Sequence, residues 1–226
     1  MTLPTSSDDY FSANYRDYVE QNPTRKLDHY IEVIERHSRG HNLDILDIGC
    51  GLGAFLERAG QQRPDWSLYG TDMDPSGVVA TRRLVPEASV ISSSASELSH
   101  PAASFDVITA WDVVEHVDDL IGVRDAVAVM LRPGGFFHFV VPVYDGLMGP
   151  IITRLDDDPT HVHKTSRHFW LDWASERFQV VSWHGIFRYL VMRGLYIHYP
   201  TFALKRIAPA ILVSCRFEEG STMRRG

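Results

Sequence analysis

Two groups of residues in this chain have the types and spacing to do chemistry. In the first, Asp47-x-Gly49-Cys50-Gly51-x-Gly53 sets a carboxylate before three glycines at alternate positions. Glycines accept positive φ and let a ligand approach the backbone closely. A helix beginning just beyond them offers free N–H groups and positive potential. Asp47 is placed to meet an ammonium, and Asp72, at the end of the next apolar run, can accept two hydrogen bonds from a ribose diol. The group reads as a site for a nucleotide-like ligand. Gly49-x-Gly51-x-x-Ala54 with Asp72 also satisfies a loose dinucleotide fingerprint, so an NAD(P)-dependent oxidoreductase stays open at this point. In the second group, Asp112, Glu115 and His116 share one face if their segment is helical. His161 and His163 follow in a polar loop. Histidine titrates near neutrality, which makes His116, His161 and His163 candidates for a general base. The structural alternatives are packing for His116 and a surface position for the two loop histidines.

The elements that must position these residues follow from hydrophobic pattern. Leu43, Ile45, Leu46 and Ile48 read as a buried strand running into the glycine turn, with a helix from Ala54 to Ala59 after it. Further strands are expected over 66–72, 88–91, 105–110 and 136–141, the last stopped by Pro142. A helix starts at Pro75 and Ser76, and a helical stretch in two pieces covers 113–131. Arg132-Pro133-Gly134-Gly135 reads as a turn. Upstream, Phe11, Tyr15, Tyr18 and Val19 share a helical face. Thr24 is placed as N-cap of a second helix with Leu27, Tyr30, Ile31 and Ile34 inward. Strands alternating with helices imply βαβ units and a parallel sheet.

After Pro142 the rhythm changes. A long loop carries Asp156, Asp157, Asp158, His161 and His163. A helix over 166–177 then leads to strands over 178–183 and 210–217, expected to pair antiparallel. Between these strands, 185–208 reads as an insertion rich in apolar residues, with Arg188, Arg193, Lys205, Arg206 and no acid. The expected fold is α/β: a Rossmann-like doubly wound, mostly parallel, seven-stranded sheet with an antiparallel terminal pair. One domain covers 1–226. It divides into a helical cap (1–42), a cofactor-binding core (43–142), a lid loop and helix (143–177), and terminal strands (178–217).

Bulk properties narrow the function. A chain of 226 residues supports one large core. The net charge of −7 argues against a general nucleic-acid binder. Cys50 and Cys215 do not suggest a disulfide framework, and neither a leader nor a long apolar run is visible. A cytoplasmic, reducing location is expected.

The Asp47–Gly53 loop, Asp72, Phe105-Asp106-Val107-Ile108-Thr109-Ala110, Leu131-Arg132-Pro133-Gly134-Gly135 and Val141-Pro142 occur in that order over 43–142. Together they resemble the class I S-adenosylmethionine-dependent methyltransferases, of the small-molecule, ubiquinone-type O-methyltransferase-like group. The resemblance implies S-adenosylmethionine as cofactor. Asp47, Gly49, Cys50, Gly51 and Gly53 would cradle its methionine part, Asp72 its ribose, and Met73 its adenine. Ser94-Ala95 would read the adenine edge by a hydroxyl or backbone N–H, where many relatives have Asp-Ala. Trp111 and Asp112 would line the pocket, with core packing the alternative for Trp111.

The stretch 112–117 resembles the segment of ubiquinone-biosynthesis O-methyltransferases in which an acid, a glutamate and a histidine form a divalent-metal cluster. The metal-free reading is favoured here, and no metal ligand is assigned. Residues 158–164 resemble a lid, and Tyr10, Tyr15 and Tyr18 an aromatic segment that closes over the cofactor. The implied activity is methyl transfer to a small hydrophobic or aromatic acceptor, first a hydroxyl, by in-line displacement with a histidine base. A small-amine N-methyltransferase, an NAD(P)-dependent oxidoreductase and a non-catalytic binding protein are the alternatives. No nucleic-acid partner is expected, and the protein would be a monomer or homodimer. Residues 185–208 would serve as core and dimer contact, substrate cover or membrane-surface patch.

Overall fold

Short runs of apolar residues, broken by glycine and proline, build one sheet in the computed structural model. It describes residues 18–38, 40–95, 97–98, 100–156, 158, 160–192 and 195–219. Tyr10, Tyr15, Asp157 and Arg193 lie outside these. The chain runs α1 (Tyr18–Gln21), α2 (Thr24–His37), β1 (Asp44–Ile48), α3 (Ala54–Gln62), β2 (Ser67–Asp72), α4 (Pro75–Leu84), β3 (Ser89–Ser92) and β4 (Phe105–Trp111). A single 3-10 turn (Val114–His116) precedes α5 (Leu120–Met130), β5 (Leu131–Pro142), α6 (Gly149–Leu155), α7 (Arg167–Ser175), β6 (Gln179–Met192), β7 (Leu195–Thr201) and β8 (Ala210–Arg216).

The sheet order is β3-β2-β1-β4-β5-β8-β6-β7. β1 to β5 are mutually parallel, and β8, β6 and β7 join antiparallel. The chain winds outward from β1 in one direction and from β4 in the other, so the switch point lies between β1 and β4. In open α/β sheets that is where ligands bind, at the carboxyl ends of the strands. One face is covered by α2, α3 and α4, with Leu27, Tyr30, Ile31, Ile34, Phe55 and Leu56 packed on β1 and β2. The other is covered by α5 and α7, with Val123, Val127, Trp170 and Trp173 against Phe137 and Phe139. The inward face expected for α2 is the buried one. Thr24 is the first helical residue rather than the cap, and Pro23 takes the cap position without a side-chain bond.

Three further expectations change. Among the described residues there are eight strands, not seven. The 185–208 segment is no insertion between strands: it prolongs β6 to Met192 and folds back as β7. Its apolar content came with a period-two alternation that a search for an insertion overlooks. On β7, His198 is buried while Ile197 and Tyr199 are exposed. The Arg132–Gly135 turn lies inside β5, where Gly134 takes φ 82 and the pairing with β4 shifts register. The loop after β5 contains α6, started by Pro150 at a position where a missing N–H costs nothing. Among the described residues no helix is long and apolar enough to cross a membrane.

Burial separates what the fold needs from what it tolerates. Trp170 is fully buried, whereas Ile197 is 42% exposed. Trp170→Ala should cost about 3–5 kcal/mol of unfolding free energy. Ile197→Ser should stay within about 0.5 kcal/mol. Urea titration of both variants checks the contrast.

Candidate active site

The loop between β1 and α3 is held from below by the end of β2. The Gly49 and Cys50 N–H groups both donate to the Thr71 carbonyl, at 2.7 and 2.9 Å. One Asp72 oxygen accepts the Gly51 N–H at 2.7 Å and the other accepts the Asp74 N–H at 2.9 Å. The Thr81 hydroxyl donates to the Gly51 carbonyl at 2.9 Å. Gly49 has φ 72, and a Cβ there would lie 2.4 Å from a Val113 methyl. Gly51 has φ 55, with the Tyr18 ring 2.9 Å from where a Cβ would be. Any side chain at either place would fill the cradle and strain the backbone. Tyr18 closes the loop from above: its hydroxyl donates to the Cys50 carbonyl at 3.4 Å and accepts the Ala54 N–H at 3.3 Å.

Asp47 lies in β1 beneath this loop. It is buried and accepts one hydrogen bond, from the Thr109 hydroxyl at 2.7 Å. Burial, tempered by Thr109 and reinforced by Asp72, lifts its carboxyl to about 7. Burial also raises Asp72, against the pull of the amides that bind it. Burial pushes the Cys50 thiol up, so it is a packing residue and not a nucleophile. The residues present thus fit an S-adenosylmethionine-like ligand: a glycine cradle, a buried carboxylate for an ammonium, and a second carboxylate whose unused lone pairs can accept a diol. Met73 is 70% exposed next to Asp72. The Ser93 N–H bonds the Asp72 carbonyl at 3.0 Å, which brings the Ser94-Ala95 turn to the same edge. Ser94 donates to Glu97 at 3.1 Å, and Ala95 packs on the core.

Trp111 ends β4, and Asp112 follows it. The Trp111 ring stacks on Tyr30 at 4.1 Å and meets Phe55 edge-on at 5.6 Å, which is core packing. Asp112 has φ 60, so the segment after β4 does not continue as a helix. Its carboxylate is bonded by Arg188 and lies 3.6 Å from the Lys26 ammonium. Although burial opposes it, Arg188 and Lys26 hold the Asp112 carboxyl below its usual range.

The second group forms from the 3-10 turn and the lid loop. Glu115, His116 and His161 bring a carboxylate oxygen and two ring nitrogens within 4.8 Å of one another. Asp112 is not part of that set. Glu115 is fully buried, and neither carboxyl oxygen has a partner among the described residues. Burial, then the charge of Asp112, raises its pKa well above the usual value. Its backbone carbonyl accepts the Val162 and His163 N–H groups, which stitches the lid loop to the turn. His116 Nδ1 donates to the Thr160 carbonyl at 3.1 Å, and burial lowers its pKa, with His161 adding.

His161 Nδ1 lies 2.9 Å from both Asp156 oxygens and 3.1 Å from the Tyr144 hydroxyl. Asp156 also bonds Lys164, at 2.9 Å, and Tyr144. Against the effect of burial, these donors hold its carboxyl far below the ordinary range. His163 is used differently: its Nε2 donates to the Val117 carbonyl at 2.8 Å and its ring packs edge-on to Trp170. Tyr144, Asp156, Thr109, Lys26 and Arg188 are the residues that sequence reading missed as functional candidates. Only the Asp156–His161 spacing within one loop offered a signal for any of them.

The comparisons agree with this architecture. Residues 46–137 match the family model described as "Methyltransferase domain". A ubiquinone biosynthesis O-methyltransferase from Nitrosospira multiformis is 29% identical over 133 residues, covering 57% of this chain and 53% of the relative. One from Azorhizobium caulinodans is 34% identical over 127 residues, covering 50% and 49%. The chain thus spans about half the length of these curated relatives. A SAM-dependent methyltransferase of known structure from Thermotoga maritima superposes with TM-score 0.68 at 12% identity, covering 94% of this chain and 99% of that one. At that identity the likeness establishes the fold.

Asp47 generates a pH prediction. Protonated, it cannot pair an ammonium, so a bound amino-acid moiety must compete with a proton below about pH 7. Calorimetric affinity for S-adenosylhomocysteine should be flat above that pH and fall by about tenfold per pH unit below it. Asp47→Asn should bind about tenfold or more weakly and lose this slope.

Proposed function

We propose that this chain, which carries a class I S-adenosylmethionine-dependent methyltransferase domain, methylates a hydroxyl of a small, aromatic or otherwise hydrophobic acceptor, with His161 as general base. The observation that carries the base assignment is the Asp156–His161 pair. Bonded to Asp156, Nδ1 carries the proton, so Nε2 is the basic nitrogen; it lies 3.8 Å from an Asp158 oxygen, and the ring stands 4.7 Å from that of His116. This is the logic by which a buried carboxylate fixes a histidine's tautomer and stabilises its imidazolium in hydrolases.

When bound, the cofactor supplies a methyl group on a sulfonium, which leaves as a neutral thioether. The chain's own residues do the rest. The glycine loop, Asp47 and Asp72 orient the donor. Glu115, through its backbone carbonyl, and His163, through Val117, hold the lid loop in place. His161 removes the acceptor's proton as the new bond forms. Much of the barrier reduction comes from alignment rather than covalent chemistry. The names of the curated relatives support a hydroxyl over a small amine as acceptor.

One observation favours a second reading. The unpartnered Glu115 carboxyl with His116 and His161 is a donor set suited to a divalent transition metal. A hydroxyl would then be acidified by a Lewis acid. That reading needs His161 Nε2 for the ion and an ionised Glu115, whereas burial raises the Glu115 pKa and so favours its neutral form. The base reading is therefore preferred.

His161→Ala should lower kcat by about 10²–10⁴-fold and leave S-adenosylhomocysteine affinity within about twofold. Asp156→Asn should lower kcat in the same direction. A panel of phenols, catechols and small amines, with radiolabelled methyl donor, reads both rate and acceptor class. Transfer to amines alone would overturn O-methylation. Activity abolished by exhaustive EDTA and restored by a divalent ion would replace the base with a metal. Saturable NAD(P)H binding with none of S-adenosylhomocysteine would remove the methyltransferase reading.

A further inference from the structure

A second polar group lies under the β6–β7 hairpin. β6 parts from β8 after the pair Ile186–Ala210, and Ala210 itself pairs with Pro142, the last residue of β5. The hairpin from 187 to 200 therefore projects beyond the carboxyl edge of the sheet, where donor and acceptor must meet. Arg188 and His198 are direct partners across it, so both side chains take the same face. That face meets Lys26 and Tyr30 of α2 and Asp112 just after β4.

The charges there do not balance. Lys26 is 5% exposed and Arg188 is also largely covered. Their one shared carboxylate is Asp112, already bonded by Arg188, with the Lys26 ammonium at 3.6 Å. Lys26 also donates to the Gln21 carbonyl at 3.2 Å and sits over the faces of Tyr30 and Tyr196 at 5.8 and 5.6 Å. Glu115, the other acid nearby, bonds neither cation, since its oxygens have no partner among the described residues. The hydroxyl of Tyr30, the Trp111 Nε1–H and both ring nitrogens of His198 are buried and also have none there. A buried cation short of counter-charge is costly unless something neutralises it. Several donors without acceptors, beside one surplus cation, are the complement of a carboxylate, which offers charge and about four lone pairs.

We propose that this group seats a carboxylate carried by the methyl acceptor, so that the substrate is a hydroxy acid. The inference rests on the methyltransferase reading and adds the acceptor's second functional group. Burial lowers the Lys26 pKa, with Asp112 opposing, and a seated anion would favour the charged form further. The other source of a carboxylate is the methionine end of the cofactor. The Trp111 ring stands between the two: it meets Phe55, on the helix of the glycine loop, at its edge and Tyr30, of the cationic group, on its face. The cofactor's carboxylate has the N-terminus of α3 within the loop itself.

Calorimetry on the S-adenosylhomocysteine complex tests this, with 3-hydroxybenzoate and its methyl ester as probes. The acid should bind at least about tenfold more tightly than the ester, and Lys26→Met, which leaves Arg188 and Asp112 paired, should erase the difference. Arg188→Lys, which keeps the charge and the fold, should retain most of it. Equal affinity for acid and ester, no binding of the acid, or an unchanged preference in Lys26→Met overturns the proposal. So does a Lys26→Met variant that loses about tenfold in affinity for S-adenosylhomocysteine but none for decarboxylated S-adenosylmethionine, because the anion would then be the cofactor's own. Failure of the wild type to bind S-adenosylhomocysteine, with acid discrimination retained by the free protein, would overturn the methyltransferase reading and leave the anion seat.

Discussion

A single carboxylate sets the shape of the cofactor loop. Asp72 ends β2, and its two oxygens accept N–H groups from opposite sides: Gly51 in the loop after β1 and Asp74 in the turn after β2. With the Thr71 carbonyl taking the Gly49 and Cys50 N–H groups, the loop is tied to the neighbouring strand rather than left to a ligand to organise. Glycine makes the path sterically allowed, and Asp72 makes it the one occupied. Burial disfavours the charge, and two amide donors offset that cost. A carboxylate that has accepted two hydrogen bonds still has lone pairs to offer. The residue that holds the loop can therefore also hold a diol, and the structural and binding roles need not compete.

The switch point between β1 and β4 divides the remaining work. β1 and β2 carry the groups that fit the donor. β4 passes between the halves: Thr109 supports Asp47, Trp111 packs against Tyr30, and Asp112 receives Arg188 from the hairpin. The turn after β4 then supplies Glu115 and His116 to the lid loop. The glycine-loop cradle is built from local elements, while the Glu115–His161 group and the hairpin's contacts are assembled from segments far apart in sequence. Such folds share the first and vary the second, which is why fold does not name the substrate. The basic segment illustrates this. Arg188 turns inward, Lys205 stacks over Trp183 at 4.1 Å, and Arg206 is left exposed, so its cations take three different environments.

The same division explains what was legible in the sequence. β1, β2, β4, β5 and the buried face of α2 follow from periods of two and 3.6 residues, and each is where the pattern places it. The Asp47–Gly53 loop and Asp72 were readable because their spacing is local. Two elements were not: α6, hidden in a loop by its seven-residue length, and β7, whose alternation lay within a segment that reads as an apolar and basic insertion. The pairs Arg188–Asp112 and Arg167–Asp145 join residues 76 and 22 apart, and no local pattern announces such contacts. The positive φ of Asp112 had the largest consequence. It breaks the helical face assumed for Asp112, Glu115 and His116, sends the aspartate to Arg188, and lets His161 complete the group instead.

What decides the state of each of these covered acids is whether a cation bonds it. Asp112 has Arg188 and Lys26, and Asp156 has Tyr144, His161 and Lys164. Both are held ionised despite burial. Asp47 and Glu115 have no bonded cation among the described residues, and burial raises both. Acids pushed apart in this way take different tasks. The ionised pair acts as a scaffold, with Asp156 fixing a histidine and Asp112 anchoring a hairpin. The raised pair is the more responsive to what arrives: an ammonium beside Asp47, or a cation beside Glu115, would favour the ionised form that burial disfavours. Lys26 is the mirror image on the basic side, a cation whose nearest carboxylate is committed elsewhere. The residues that the fold leaves electrically unfinished are therefore those on which binding has the most leverage, and all three stand at the carboxyl edge of β1 and β4 or on the helix packed against it.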